Sequence, residues 1–226
     1  MKKQKMTFKA LATDERFLTL SESNKKLIPN AETKFLIWNL PSKVTCPYAT
    51  EHCKKYCYAV KAETVYPNCL PSRMKHFEIS KADNFVDRMI YTIESYLTKP
   101  SYKTAKKIVV RIHESGDFYN LPYMAKWFDI AQHFKSNKKV VFMAYTKSVE
   151  YLRFLVIPKN MIIRFSVWDD TPISQIALAV KYDLPIYTAV EKFTKEIKSQ
   201  NRCLCKNCAK CGKCWGKTST ILCEIH

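Results

Sequence analysis

The amino-acid sequence predicts an α/β fold: a mostly parallel sheet, open or curled into a partial or complete barrel, with a cysteine-rich C-terminal tail. Two observations carry this expectation. From Lys106 onward, short apolar, β-branched runs alternate with segments of helical period, which is the pattern of strands joined by crossover helices. The 10 cysteines fall mainly into two clusters, one directly beyond the first strand and one in residues 201–226.

Taken in order, residues 1–30 form a basic, amphipathic arm ending in SESNKKLIPN. Residues 31–200 are read as the α/β domain and 201–226 as a tail packed on it. Lys34–Leu40 is a β-prone run stopped by Pro41, hence a strand feeding into the first cysteine loop. Ser72–Leu97 has helical spacing with a break near Asp83. KIVVRIHES, KVVFMAYT, MIIRFSVW and PIYTAV are further strands, separated by helices over Leu121–Phe134, Val149–Phe154 and Pro172–Lys181. Function in parallel sheets collects at the carboxyl ends of strands. That rule places the cysteine loop, His113–Asp117, Tyr145-Thr-Lys147, Trp168-Asp-Asp170 and Glu191 on one common face.

Composition bounds the function. An apolar content of 47% in 226 residues is that of a globular chain with a sizeable core. Only 3 glycines occur, and no P-loop or GxGxxG loop is present. The opening MKKQKMTFKALATDERF lacks the apolar stretch of a signal peptide, so a cytoplasmic chain with reduced or metal-bound thiols is expected. No run approaches the roughly 18 apolar residues of a membrane span. The net charge of +18 favours a polyanionic partner such as nucleic acid. The alternative is a surface merely solubilised by scattered lysines.

The first cysteine cluster, TCPYATEHCKKYCYA, places Cys46, Cys53 and Cys57 as C-x6-C-x3-C. Several soft thiolates on one polar segment point to a metal or iron-sulfur centre, whereas buried structural cysteines would not sit among Glu51, His52, Lys54 and Lys55. In HESGDF, Gly116 suits a turn with positive φ, and His113, Glu114 and Asp117 are candidates to bind a cation or ammonium group or to transfer protons. A turn in which Asp117 caps the next helix is the structural alternative. In the tail, Cys205, Cys208, Cys211 and Cys214 recur every third residue, with Cys203 before and Cys223 after. C-x2-C-x2-C suits a 4Fe-4S cluster, with zinc as the alternative. Spacing does not decide which of the six bind, and Cys69 or a tail cysteine could complete the first site.

TCPYATEHCKKYCYA, HESGDF, YMAKWFDIA, FMAYTKS and CAKCGKCW together resemble the phage gene-product-88 family. The resemblance implies a phage or prophage protein, acting in the host cytoplasm, that carries iron-sulfur clusters on a fold akin to the partial TIM-type barrel of radical SAM enzymes. Those enzymes hold a 4Fe-4S cluster by three cysteines, usually C-x3-C-x2-C with an aromatic residue before the last, after the first barrel strand. Cys46, Cys53 and Cys57, with Tyr56, stand in the corresponding place at a different spacing. The usual glycine-rich strand end is replaced by HESGD, so Ser115, Gly116 and Asp117 are the cofactor-binding candidates, with Asp117 or Glu114 receiving the ammonium group of S-adenosylmethionine. Catalytic candidates are His113, Glu114, Asp117 and Lys147. Two 4Fe-4S clusters and a reductase or ferredoxin partner are expected. The competing expectation is a cluster- or zinc-stapled protein that binds nucleic acid without catalysis, with Tyr56, Tyr58 and Tyr66 stacking on bases.

Overall fold

The fold is taken from a computed structural model, which describes residues 14–193, 202–203, 206–216 and 220–225. The first strand, β1 (Thr33–Trp38), leads into the cysteine loop, which holds two short helices, α1 (Glu51–Lys55) and α2 (Tyr58–Val65). Next come α3 (Cys69–Lys81), α4 (Phe85–Leu97) and α5 (Pro100–Lys103). The break between α3 and α4 falls at Ala82–Asn84, where the sequence places it near Asp83. Thereafter β2 (Lys107–Ile112), α6 (Leu121–His133), β3 (Val140–Thr146), a 3₁₀ turn (Val149–Phe154), β4 (Met161–Val167), α7 (Ile173–Lys181) and β5 (Ile186–Val190) follow the expected alternation. The tail adds α8 (Cys208–Cys211), a 3₁₀ turn (Lys213–Trp215) and a sixth strand, β6 (Thr220–Glu224).

All six strands are parallel and stand in sequence order, β1-β2-β3-β4-β5-β6. Right-handed crossovers that always step the same way leave their helices on one face, and a sheet covered on one face curls into a half-barrel. The period of two along each strand then sorts its side chains between two cores. Leu36 and Trp38 of β1, Val110 and Ile112 of β2, Phe142 and Ala144 of β3, and Ile163 and Phe165 of β4 meet the helices through Met89, Ile93, Trp127 and Phe128. The alternate residues Phe35, Ile37, Val109 and Met143 turn to the other face, where they meet Leu27 and Trp215.

Both ends of the described chain join the sheet. In the N-terminal segment Leu18, Leu20 and Leu27 are buried, and Ser21 forms an antiparallel bridge to Ile37. Pairing there covers the open edge of β1. In the tail, β6 extends the sheet and Trp215 packs on its inner face, edge-on to Phe35 at 5.6 Å between ring centroids.

Candidate functional site

The strand ends are built around the turn His113–Asp117. Asn39, just past β1, accepts hydrogen bonds on its side-chain oxygen from the N–H groups of Glu114 (2.8 Å) and Ser115 (3.1 Å). Leu40 and Ser115 pair through Leu40 N to Ser115 O and Ser115 Oγ to Leu40 O, both 2.9 Å. The Asp117 N–H then reaches Thr45 O at 3.2 Å. Gly116 has φ +84°, and a Cβ there would stand 2.6 Å from Thr45 Oγ1 and 2.7 Å from Leu40 Cβ. Only glycine meets both demands. The turn is therefore a clamp on the stem of the first cysteine loop.

Asp117 is buried and fully occupied. Its Oδ1 accepts from Thr146 Oγ1 (2.6 Å) and the Phe118 N–H (2.7 Å), and its Oδ2 from the Lys147 N–H (2.9 Å), which ties the end of β2 to the end of β3. Burial pushes its pKa up to about 6 against the pull of those donors. It does not cap α6; Asn120 does, accepting from the Tyr123 N–H at 2.8 Å. Lys147 is also buried, donates to Ser166 O at 2.8 Å, and has its pKa lowered by burial while Cys53, Asp117 and Asp170 oppose the shift.

Cys46, Cys53 and Cys57 gather above this layer. Cys46 follows the clamp, Cys53 sits in α1 and Cys57 stands at the N-cap of α2. The three are close enough that the other two thiolates each raise the pKa of Cys46. Burial is the larger cause and pushes that thiol up to about 12, with Asp117 adding to it. For Cys53 burial also raises the pKa, and the ammonium of Lys147 works the other way. Burial thus favours the protonated form of Cys46 and Cys53, the form a thiol gives up when it binds a metal.

The loop spans from β1 to β4. Thr50 caps α1, accepting from the Cys53 N–H at 3.3 Å. The His52 N–H donates to Asp170 Oδ2 at 2.8 Å, its Nδ1 lies 2.6 Å from Asp169 Oδ1, and Tyr56 stacks on Trp168 with ring planes 7° apart. Asp170 Oδ1 is buried and has no hydrogen-bond partner. Burial works against the charge of Asp170, but the His52 N–H and the Thr50 hydroxyl hold its pKa below the ordinary carboxylate value.

Glu114 accepts from Asn24 at 2.6 Å and from Asn39 at 3.5 Å. His113, at φ 60°, pairs its Nε2 with the Tyr123 hydroxyl at 2.9 Å, while its Nδ1 is buried without a partner. Burial and Arg111 hold that imidazole neutral, well below its ordinary pKa. Cys69 opens α3 and lines a separate cleft with Tyr66, Asn68, Ser72 and His76.

In the tail, Cys203, Cys208, Cys211 and Cys214 line one recess with Gly212, Lys213, Trp215 and Ile221. Cys223, in β6, is buried and hydrogen-bonded to the Cys203 thiol. Cys205 lies outside the described residues. The recess is bound to the inner face of the sheet: Tyr145 O–H donates to Cys214 Sγ at 2.7 Å, and buried Arg164 donates to Cys214 O (2.7 Å) and Lys213 O (2.9 Å). The Arg111 guanidinium lies 4.1 Å from the Tyr145 ring centroid. The sequence reading places Tyr145 at the strand ends with Lys147, whereas its hydroxyl meets the tail; it leaves out Arg111 and Arg164, although an arginine inside an apolar strand is a visible signal, since a buried charge needs a partner. Among the described residues the one group of three ligand side chains within 4.8 Å of one another is His52, Asp169 and Asp170. Neither thiol group is drawn in to the spacing of about 3.8 Å that tetrahedral zinc with Zn–S near 2.3 Å imposes.

Fold and site together define an all-parallel α/β half-barrel whose strand ends lie under a thiol-bearing loop and whose inner face carries a second thiol group. Residues 18–217 match the Gene product 88 family, and the chain belongs to it. Similar proteins include the Gene 88 proteins of Mycobacterium phages D29 and L5, 31% and 30% identical over 106 residues. That match covers 46% of this chain and 42% and 43% of theirs, so it spans less than half the length of either relative. No solved structure matches the chain. No helix among the described residues is long and apolar enough to cross a membrane.

Proposed function

We propose that this is a phage iron-sulfur protein with radical SAM-like chemistry, in which Cys46, Cys53 and Cys57 bind a 4Fe-4S cluster and leave one iron open to S-adenosylmethionine. The observation that carries the reading is the convergence of three thiols of one loop over the ends of a parallel half-barrel. A cluster bound there would supply one-electron chemistry, and the chain supplies its setting. The clamp at Gly116 fixes the loop stem, Lys147 sets a positive charge beside Cys53, and the α1–Trp168 contact holds the far end of the loop over β4. The oxygens of Asp117 and Glu114, which the resemblance offers to the ammonium of S-adenosylmethionine, are engaged within the chain. Asp170, with one oxygen unpaired, is the better acceptor. The tail thiols are read as a second cluster site, with a reductase or ferredoxin as electron donor.

The test is anaerobic reconstitution followed by binding and reductive cleavage of S-adenosylmethionine. Cleavage by the intact chain, abolished in Cys53→Ser, is expected; no binding and no cleavage under strong reductant would sink the reading. The net charge of +18 favours a second reading, a non-catalytic nucleic-acid binder. In that case affinity for single-stranded oligonucleotides falls steeply with salt, and affinity independent of salt excludes it.

A further inference from the structure

The tail offers six thiols, and the every-third-residue pattern selects Cys205, Cys208, Cys211 and Cys214. Among the described residues the fold brings together Cys203, Cys208, Cys211 and Cys214. Cys208 and Cys211 bracket α8, which Asn207 caps by accepting from the Lys210 N–H at 3.3 Å and which Gly212 ends at φ +67°. The left-handed glycine turns the chain so that Cys214, in the next 3₁₀ turn, faces the same recess. Cys203 reaches it from the opposite side. Arg202 bridges in parallel to Leu222, and the Cys203 N–H donates to Leu222 O at 2.6 Å, so β6 fixes its place.

Three thiols from a C-x2-C-x2-C run, with a fourth from just outside it, suit a ferredoxin-type cluster. Among the described residues no three of these sulfurs lie within 4.8 Å of one another, and a cubane spreads its thiolates over four separate irons. We infer that Cys203, Cys208, Cys211 and Cys214 hold the second iron-sulfur cluster, with Cys203 as the ligand from outside the C-x2-C-x2-C run and Cys223 as a non-ligating neighbour that hydrogen-bonds to it. This rests on the iron-sulfur reading above. Four thiolates leave no open iron, so this centre transfers electrons and does not bind substrate. Tyr145 is its positioning residue: its hydroxyl donates to Cys214 Sγ, with Arg111 over its ring and Arg164 on the Cys214 carbonyl. A donor on a ligand sulfur and nearby positive charge favour the more negative, reduced cluster and so raise its potential.

The test uses the full chain purified anaerobically, with iron, acid-labile sulfide, zinc and visible absorption measured and far-UV circular dichroism as the folding control. A Cys46→Ser/Cys53→Ser/Cys57→Ser background confines iron to the tail. There, Cys203→Ser and Cys208→Ser are each expected to lose the iron, while Cys205→Ser and Cys223→Ser keep it. Retention in Cys203→Ser, or loss in Cys205→Ser or Cys223→Ser, overturns the ligand set. A background variant without iron, or with zinc in its place, overturns the tail cluster; if the wild-type chain then still carries iron that Cys53→Ser removes, the first site stands alone. Tyr145→Phe keeps full iron content and lowers the midpoint potential of the tail centre. An unchanged potential removes Tyr145 from its role.

Discussion

At the residue scale, the clamp under the cysteine loop depends on an atom that is missing. Any side chain at Gly116 meets a left-handed backbone and two atoms inside 3.0 Å, one of them a Cβ in the loop stem. Gly116→Ala should cost at least about 2 kcal/mol, from αL strain of about 1–2 kcal/mol plus overpacking. A lower urea midpoint at unchanged m checks this, and an unshifted midpoint refutes the clamp. A second residue, His113, couples the same turn to pH. Its folded pKa is depressed, so below about pH 6.5 the unfolded chain gains a proton there that the folded chain does not. Its contribution is intact above pH 6.5 and is lost as pH falls. Asp117 has the opposite sign, because its raised pKa makes the folded chain take up a proton as pH falls through about 6. The two offset each other in the wild type. His113→Asn, which tolerates positive φ, removes one of them. Between pH 6.5 and 5 its urea midpoint should fall less with acid than that of the wild type; parallel curves would show that His113 titrates normally.

At the scale of elements, the tail is the piece on which the inner face depends. Trp215 is buried in one cluster with Leu27, Phe35, Ile37, Val109 and Met143. Trp215→Ala should therefore destabilise by about 3–5 kcal/mol. It should also expose that face, so that dye binding to apolar surface rises while far-UV circular dichroism stays near native. A loss under 1 kcal/mol would mean that the tail is only loosely seated. The sequence pattern made five of the six strands legible, because β-branched runs such as KIVVRI and MIIRFSV have no helical reading of comparable quality. β6 was missed for a physical reason: TILCE is short, and its cysteine drew it into the metal-ligand pattern. The site was legible as positions and less so as roles. HESGD was found at the strand ends, yet most of its polar groups bond to the chain itself. Spacing cannot report that Asn39, Thr45 and Thr146 arrive as partners from other elements.

At the scale of the whole molecule, the two thiol groups occupy different environments of one half-barrel. The first lies over the strand ends, beside Lys147 and the unpaired oxygen of Asp170. The second is held on the inner face by Tyr145 and Arg164 from neighbouring strands β3 and β4. The strictly sequential strand order has one more consequence. A sheet ordered β1 to β6 can be laid down strand by strand as the chain leaves the ribosome, each new strand finding its partner already in place. Its inner face has no such schedule, for Trp215, which packs there against Phe35, follows all of the first five strands. Phe35, Ile37, Val109 and Met143 therefore wait for that cover until the strands that bear them have been made.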